Sequence, residues 1–144
     1  PEDHRVSGLL SRLAAWIQLP RGRQLMRRLL VIDVVVVLVL TLWPRLEVPI
    51  PIKRPDLIAH LGVFGSLTLV VIAAGFFGNA LSTRNILLAA LCTGLFASID
   101  EALQSIPAIH RTCALDDAMA NLLGVSLGAA IAWGWQRLTR PGTN

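Results

Sequence analysis

Long apolar stretches alternate with short groups of charged residues along this chain, and this alternation restricts the fold more than any other feature. Only 15% of the 144 residues are charged and 54% are hydrophobic, whereas a soluble domain carries about a quarter charged residues. A segment that crosses the hydrocarbon core of a bilayer must satisfy its own backbone hydrogen bonds, which a helix does without a partner. The pattern therefore predicts an all-α membrane protein.

Four apolar stretches predict helices that cross the bilayer, at residues 29–43, 57–77, 85–104 and 115–135. The prolines of residues 44–56 exclude a helix between the first two stretches. We therefore predict a four-helix polytopic transmembrane bundle. Small residues allow helices to approach each other closely, and the last three stretches contain several of them: Gly62, Gly65, Ser66, Gly94, Ser98, Gly124 and Gly128.

An apolar stripe at helical spacing precedes the first predicted span. Within residues 3–19 it consists of Leu9, Leu10, Leu13, Trp16 and Ile17. This spacing predicts an N-terminal interfacial amphipathic helix on the cytoplasmic membrane surface, and a helix that docks onto a partner protein is the alternative. A basic collar of arginines follows. We divide the chain into residues 1–28, which hold this helix and the collar, and residues 29–144, the membrane domain.

The distribution of basic residues predicts the orientation in the membrane. With four spans, nine of the thirteen Lys and Arg residues fall on the side of the two termini, and basic residues are retained in the cytoplasm. We predict a multi-pass protein of the cell inner membrane with both termini cytoplasmic. The net charge of +4 and the pI near 10.5 do not indicate a nucleic-acid site, because no soluble basic face is left to carry one.

This topology gathers seven polar residues at one depth, close to the headgroups of the outer leaflet. They are His60, Asp100, Glu101, Gln104, Arg111, Asp117 and Asn121. Such a cluster either fixes helix pairing through hydrogen bonds or forms a pocket that binds a polar group or performs acid–base chemistry. The number of ionisable residues favours a pocket. Because no HExxH or CxxC spacing is present, we expect no metal site and no cofactor.

Residues 55–65 (PDLIAHLGVFG) and 99–128 (IDEALQSIPAIHRTCALDDAMANLLGVSLG) resemble the VanZ-like family of bacterial membrane proteins. The family pattern has Asp-Lys-x-x-His at the start of one span and Asp-Glu-x-x-Gln at the end of the next. It continues with an Arg, an Asp six residues later and an Asn four residues after that. The seven residues of the cluster match this pattern together with Asp56, whereas Leu57 replaces the usual Lys and Phe64 replaces a frequent Tyr.

The resemblance covers residues 50–135 and implies a protein of the bacterial cell envelope. The family is named after a protein associated with low-level resistance to the glycopeptide antibiotic teicoplanin, and no agreed reaction comes with the name. Together with the cluster, the resemblance predicts that the outer-leaflet pocket binds a polar lipid headgroup or a cell-wall precursor. Arg111 would contact a phosphate or carboxylate of this ligand, and membrane lipids are the expected partners.

Two alternatives stay open at the level of sequence. An accessory structural subunit of a larger membrane complex is favoured by residues 3–28, which the family pattern does not require. An intramembrane hydrolase would use the carboxylates and His60 as acid and base, although no nucleophile with a neighbouring base is visible. The sequence decides neither whether the protein is an enzyme nor whether it forms a homo-oligomer.

Overall fold

The computed structural model describes residues 2–42, 55–106 and 115–139, and 90% of these residues are helical, with no strand among them. The predicted all-α class is therefore confirmed. The described residues form five helices, α1 (Glu2–Gln18), α2 (Pro20–Leu42), α3 (Pro55–Ala74), α4 (Thr83–Gln104) and α5 (Leu115–Thr139).

Three of the helices, α3, α4 and α5, are long and apolar enough to cross a membrane. Helix α2 has a similar length of 23 residues, but its last 18 residues still contain three charged ones, Arg27, Arg28 and Asp33. By composition it is therefore not counted with the other three. Four membrane spans consequently remain a prediction, whereas three candidate spans are found in the described part of the chain.

The turn between α1 and α2 consists of a single residue, Leu19, and α2 begins at Pro20. Proline suits the first position of a helix because its missing N–H would have no helical partner there. Gly22 is buried against the backbone of α1, and a Cβ atom at this position would collide with the carbonyl oxygen of Trp16. Glycine thus allows the C-terminal end of α1 to lie directly against the first turn of α2. The basic collar forms the first turns of α2, so the division after residue 28 lies inside a helix.

Helices α2 to α5 alternate in direction, so α3 and α5 run parallel. These two helices also make the most extensive contact in the described bundle. A Cβ atom on Gly124 would collide with the carbonyl oxygen of Leu61, and one on Gly128 would lie 2.7 Å from the carbonyl oxygen of Gly65. The predicted close approach at Gly65, Gly124 and Gly128 is thus confirmed. It is wrong for Gly94, where an added Cβ atom meets no atom of the described chain within 4 Å.

The remaining small residues of the predicted set do not pack against another helix. An added Cβ atom on Gly62 also meets no described atom within 4 Å. Ser66 and Ser98 are exposed, and each hydroxyl donates a hydrogen bond to a carbonyl oxygen of its own helix. Close approach of α3 and α5 therefore occurs only on the faces that carry Gly65 on α3 and Gly124 and Gly128 on α5, among the described residues.

A turn of eight residues joins α3 to α4, and Asn85 holds it in place. The buried Asn85 amide donates to the carbonyl oxygens of Ile72, at 2.9 Å, and Ala80, at 2.7 Å. Its Oδ1 accepts from the backbone N–H of Phe77 at 3.1 Å. Gly75 has a φ of +62°, a left-handed conformation that glycine adopts without strain. Helix α1 packs against this turn.

Helix α1 lies against this turn and against the end of α5. Ile17 is 2% exposed within the core of this end of the bundle, and the indole N–H of Trp135 donates to the carbonyl oxygen of Leu10 at 3.0 Å. Leu9 and Trp16, from the same apolar stripe, are exposed. The stripe thus divides between a docked side and an exposed side. We call this end of the bundle the α1 end.

Candidate functional site

The opposite end of the bundle collects polar side chains from four helices, and we call it the polar end. Because neighbouring helices alternate in direction, the C-terminal ends of α2 and α4 lie there beside the N-terminal ends of α3 and α5. Six of the seven residues of the predicted cluster belong to this end: His60, Asp100, Glu101, Gln104, Asp117 and Asn121. The seventh, Arg111, lies outside the described residues.

A hydrogen bond between His60 and Asn121 joins α3 to α5 at the polar end. The Nδ1 atom of His60 lies 2.8 Å from Oδ1 of Asn121, and both side chains are buried, with Asn121 only 1% exposed. The close glycine contact one turn further along both helices brings them within reach. When the amide oxygen accepts this hydrogen bond, the imidazole carries its proton on Nδ1 and Nε2 is left as the second polar atom.

The other polar atom of the Asn121 amide, Nδ2, is buried and has no hydrogen-bond partner in the described part of the chain. Turning the amide around would place Nδ2 on the imidazole and leave Oδ1 in the same unpaired position. In either orientation one buried amide atom is unsatisfied, which costs about 1–3 kcal/mol. Buried polar groups of purely structural networks are nearly always paired, so this atom is available to a ligand.

Asp100 forms the centre of a second set of contacts, which joins α2 to α4. The hydroxyl of Thr41 lies 2.8 Å from Oδ1 of Asp100, and the Gln104 amide donates to Oδ2 at 3.1 Å. The same hydroxyl also lies 2.8 Å from the carbonyl oxygen of Val37. Since a hydroxyl carries one proton, it donates to only one of the two oxygens at a time. All three polar side chains are buried.

Glu101 and Asp117 add two further carboxyl groups to the polar end. Glu101 is 5% exposed, and Asp117 is half-buried. One carboxyl oxygen of each, Oε2 of Glu101 and Oδ1 of Asp117, is shielded from solvent. Buried carboxyl groups must be compensated by cations or hydrogen-bond donors. Glu101 and Asp117 thus add acidic groups to the polar end.

Two further acidic residues lie close to this cluster in the sequence. Asp116 is half-buried and Asp56 is exposed. Asp117, the acid that matches the family pattern, lies one turn before Asn121 on α5. Within the ranges that the structure describes, no group of three or more His, Cys, Asp or Glu side chains is arranged to hold a metal ion.

Thr41 is the residue at this end that reasoning from the sequence missed. Between Val34 and Leu42 it is the one polar residue in a run of valines and leucines, and that interruption was the available signal. It was not informative by itself, because threonine in a membrane helix commonly bonds to a carbonyl oxygen of its own helix. Only the packing of α2 against α4 brings its hydroxyl to Asp100.

Three long apolar helices, in a bundle that buries a cluster of polar side chains at one end, define a helical membrane protein. The family model for VanZ/LLP1 matches residues 19–137, and the chain belongs to this family. The resemblance predicted from the sequence is thereby confirmed, and the match begins at the start of α2, well before residue 50. Comparison with curated proteins finds no match, and comparison with solved structures finds none either.

Proposed function

We propose that the protein crosses the inner membrane four times, with α2 to α5 as its spans and both termini in the cytoplasm. The distribution of charge supports this orientation, because basic residues concentrate on the cytoplasmic side of membrane proteins. All arginines whose side chains the structure describes lie towards the α1 end: Arg12, Arg21, Arg23, Arg27, Arg28, Arg84 and Arg137. The polar end then faces the outer leaflet.

At this polar end, the protein binds the polar headgroup of a lipid or of a lipid-linked cell-wall precursor. The observation that carries this proposal is the unpaired amide atom of Asn121, buried beside His60. A ligand that offers this atom a hydrogen bond would repay the cost of burying it. Sugar hydroxyls or peptide N–H groups of a headgroup would donate to Glu101 and Asp117, and Arg111 would contact a phosphate.

Two asparagines of the same chain provide a matched test of this proposal. Both are buried, but Asn85 has all its polar atoms paired, whereas Asn121 does not. We expect Asn121→Ala to abolish binding of a headgroup and to lower the free energy of unfolding by about 1–2 kcal/mol, because loss of the hydrogen bond to His60 is partly offset by removal of the unpaired amide atom. Asn85→Ala removes three hydrogen bonds to the backbone of the turn and should cost about 2–4 kcal/mol, with binding retained in the folded fraction.

Native mass spectrometry of the purified protein with phosphatidylglycerol and with a polyprenyl phosphate measures binding, and thermal unfolding in detergent measures stability. If Asn121→Ala destabilises the protein as strongly as Asn85→Ala and both variants bind these lipids like the unmodified chain, the cluster serves helix packing alone. A change in teicoplanin susceptibility of cells that express the protein, abolished by Asn121→Ala, would connect the site to glycopeptide resistance.

A further inference from the structure

A wholly apolar cavity of about 310 Å³ lies at the α1 end. We call it the α1 groove. Helix α1 forms one wall with Leu13 and Trp16, and Met26 of α2 closes one side. The opposite wall consists of side chains from the C-terminal halves of α3 and α5, among them Ala73 and Ile131. The groove is separate from the polar end, because Leu69, its lining residue nearest to His60 on α3, lies nine residues from it, about 14 Å at the helical rise.

The lining determines what kind of ligand fits the groove. Every residue that lines it is apolar, and both Trp16 and Trp135 contribute their rings. A cavity without polar partners does not retain water well, but it does bind hydrocarbon. A nucleotide, a sugar or a peptide backbone would lose its hydrogen bonds with water on entering. The bilayer around the protein supplies hydrocarbon in the form of acyl chains, and these match the lining.

The charge around the groove determines which headgroup that acyl chain carries. Residues 8–32, which include the groove-lining parts of α1 and α2, contain five arginines and no acidic residue. Arg12 is exposed and lies four residues before Trp16 on the same face of α1, and Arg23 lies three residues before Met26 on α2. Each basic residue close to a membrane surface contributes about 1 kcal/mol of attraction to anionic lipids. A zwitterionic headgroup carries no net charge, so these arginines attract it less strongly than an anionic headgroup.

We propose that the α1 groove is a specific lipid site, which binds one acyl chain of an anionic phospholipid and holds its phosphate among the arginines of α1 and α2. This site goes beyond the headgroup binding proposed for the polar end and does not depend on it. The lipid fills the space between α1 and the bundle. Among the described residues, direct hydrogen bonds between α1 and the rest of the bundle are few, from Trp135 to Leu10 and from Arg23 and the N–H of Ala80 to Gln18, so the lipid also stabilises the docked position of α1.

Quenching of tryptophan fluorescence tests this site directly, because Trp16 and Trp135 line the groove. The full chain with Trp43→Phe and Trp133→Phe is titrated in detergent with phosphatidylglycerol whose acyl chains carry bromine. We expect quenching that saturates at about one lipid per chain. Phosphatidylcholine with the same brominated chains should bind more weakly, and Arg12→Gln should weaken the binding of phosphatidylglycerol about fivefold.

Two pairs of variants separate the groove from general contact with lipid. Leu13 lines the groove and is 44% exposed, whereas Leu9 on the same helix is 67% exposed and lies outside it. Leu13→Gln should abolish the saturable quenching and Leu9→Gln should retain it. Ala73→Phe, which fills the groove, is compared in the same way with Ala130→Phe on the exposed side of α5. Circular dichroism checks the helical content of each variant.

Three results would overturn the proposal. Quenching that rises in proportion to the brominated lipid without saturating would indicate ordinary annular lipid. Equal quenching in Leu13→Gln and Leu9→Gln, with helical content retained in both, would show that the lipid contacts the tryptophans outside the groove. Equal affinity for phosphatidylglycerol and phosphatidylcholine would eliminate the role of the arginines. Loss of headgroup binding at the polar end, by contrast, would leave all these measurements unchanged.

Discussion

Asp100 connects two helices through a single carboxyl group. One oxygen contacts the hydroxyl of Thr41 on α2, and the other accepts from Gln104 one turn further along α4. Because the residue is 1% exposed, water contributes little to its solvation, and a lost protein contact is not readily replaced. A hydrogen bond contributes about 0.5–1.5 kcal/mol, and leaving a buried partner unsatisfied costs about 1–3 kcal/mol. The hydroxyl of Thr41 should therefore contribute measurably to the stability of the bundle.

Replacement of Thr41 by valine removes the hydroxyl at nearly constant volume, and Thr93 offers a matched control. Both threonines are buried and both lie within hydrogen-bond distance of a carbonyl oxygen four residues earlier. In the described chain only Thr41 also reaches a carboxyl group on another helix. We expect Thr41→Val to lower the free energy of unfolding by about 1–2 kcal/mol more than Thr93→Val, measured by thermal unfolding in detergent. Equal effects would mean that the Asp100 contact contributes nothing.

Contacts within one helix could be predicted from the sequence at this scale, and contacts between helices could not. The four-residue spacing of Asp100 and Gln104 places them on one face of a helix, and the structure pairs them. His60 and Asn121 were both expected at the same depth, but spacing along separate helices does not determine which side chains meet. That depends on the rotation of α3 and α5 about their axes, which packing decides.

At the level of the helices, the contact between α3 and α5 determines how the polar end is assembled. The backbone of α5 at Gly124 and Gly128 lies directly against the backbone of α3 around Leu61 and Gly65. Such close approach is the usual basis of helix association in a membrane, where burial of apolar side chains provides no driving force. The same contact places His60 beside Asn121, so helix packing and site geometry are coupled.

Alanine substitutions at glycines test this coupling. In Gly124→Ala, the added methyl group collides with the carbonyl oxygen of Leu61. This should lower the free energy of unfolding by about 1–3 kcal/mol, the usual penalty for overpacking. Gly94→Ala is the control, because an added Cβ atom meets no described atom within 4 Å and alanine is the better helix former. Thermal unfolding in detergent compares the two variants. A Gly124→Ala protein as stable as Gly94→Ala would show that α3 and α5 separate without cost.

The existence of the helices followed from the apolar stretches, since hydrophobic runs predict helices in a membrane. Their partners were less predictable. Gly94 and Ser98 have the same spacing as Gly124 and Gly128, yet only the second pair packs closely against another helix of the described chain. A spacing rule identifies faces on which close approach is possible. Which of them is used depends on the arrangement of all four helices around one another.

For the whole molecule, the two ends of the bundle differ in chemistry. The α1 end carries the described arginines and an apolar groove, whereas the polar end carries buried carboxyl groups, an imidazole and amides. Basic residues and the docked helix α1 would anchor the first end at the cytoplasmic surface. The proposed headgroup site requires the second end to be at the outer surface. Orientation is therefore the property on which the proposed function depends.

Labelling of single cysteines measures this orientation. In a chain with Cys92→Ser and Cys113→Ser, one cysteine replaces Ser105 at the end of α4 and, in a second variant, one replaces Asn79 in the turn between α3 and α4. Both positions are exposed and lie at opposite ends of α4. We expect a membrane-impermeant thiol reagent to label Ser105→Cys in cells whose inner membrane is intact and to label Asn79→Cys only after that membrane is permeabilised.

Labelling of Asn79→Cys in intact cells, with Ser105→Cys labelled only after permeabilisation, would contradict the proposed function. The carboxyl groups and Asn121 would then face the cytoplasm, where a headgroup of the outer leaflet or an extracellular precursor does not reach them. The arginines of α2 would face outward, against the usual retention of basic residues. The α1 groove would still bind an acyl chain, but from the outer leaflet. The same pair of cysteines thus decides both the side of the polar end and the leaflet that supplies the groove.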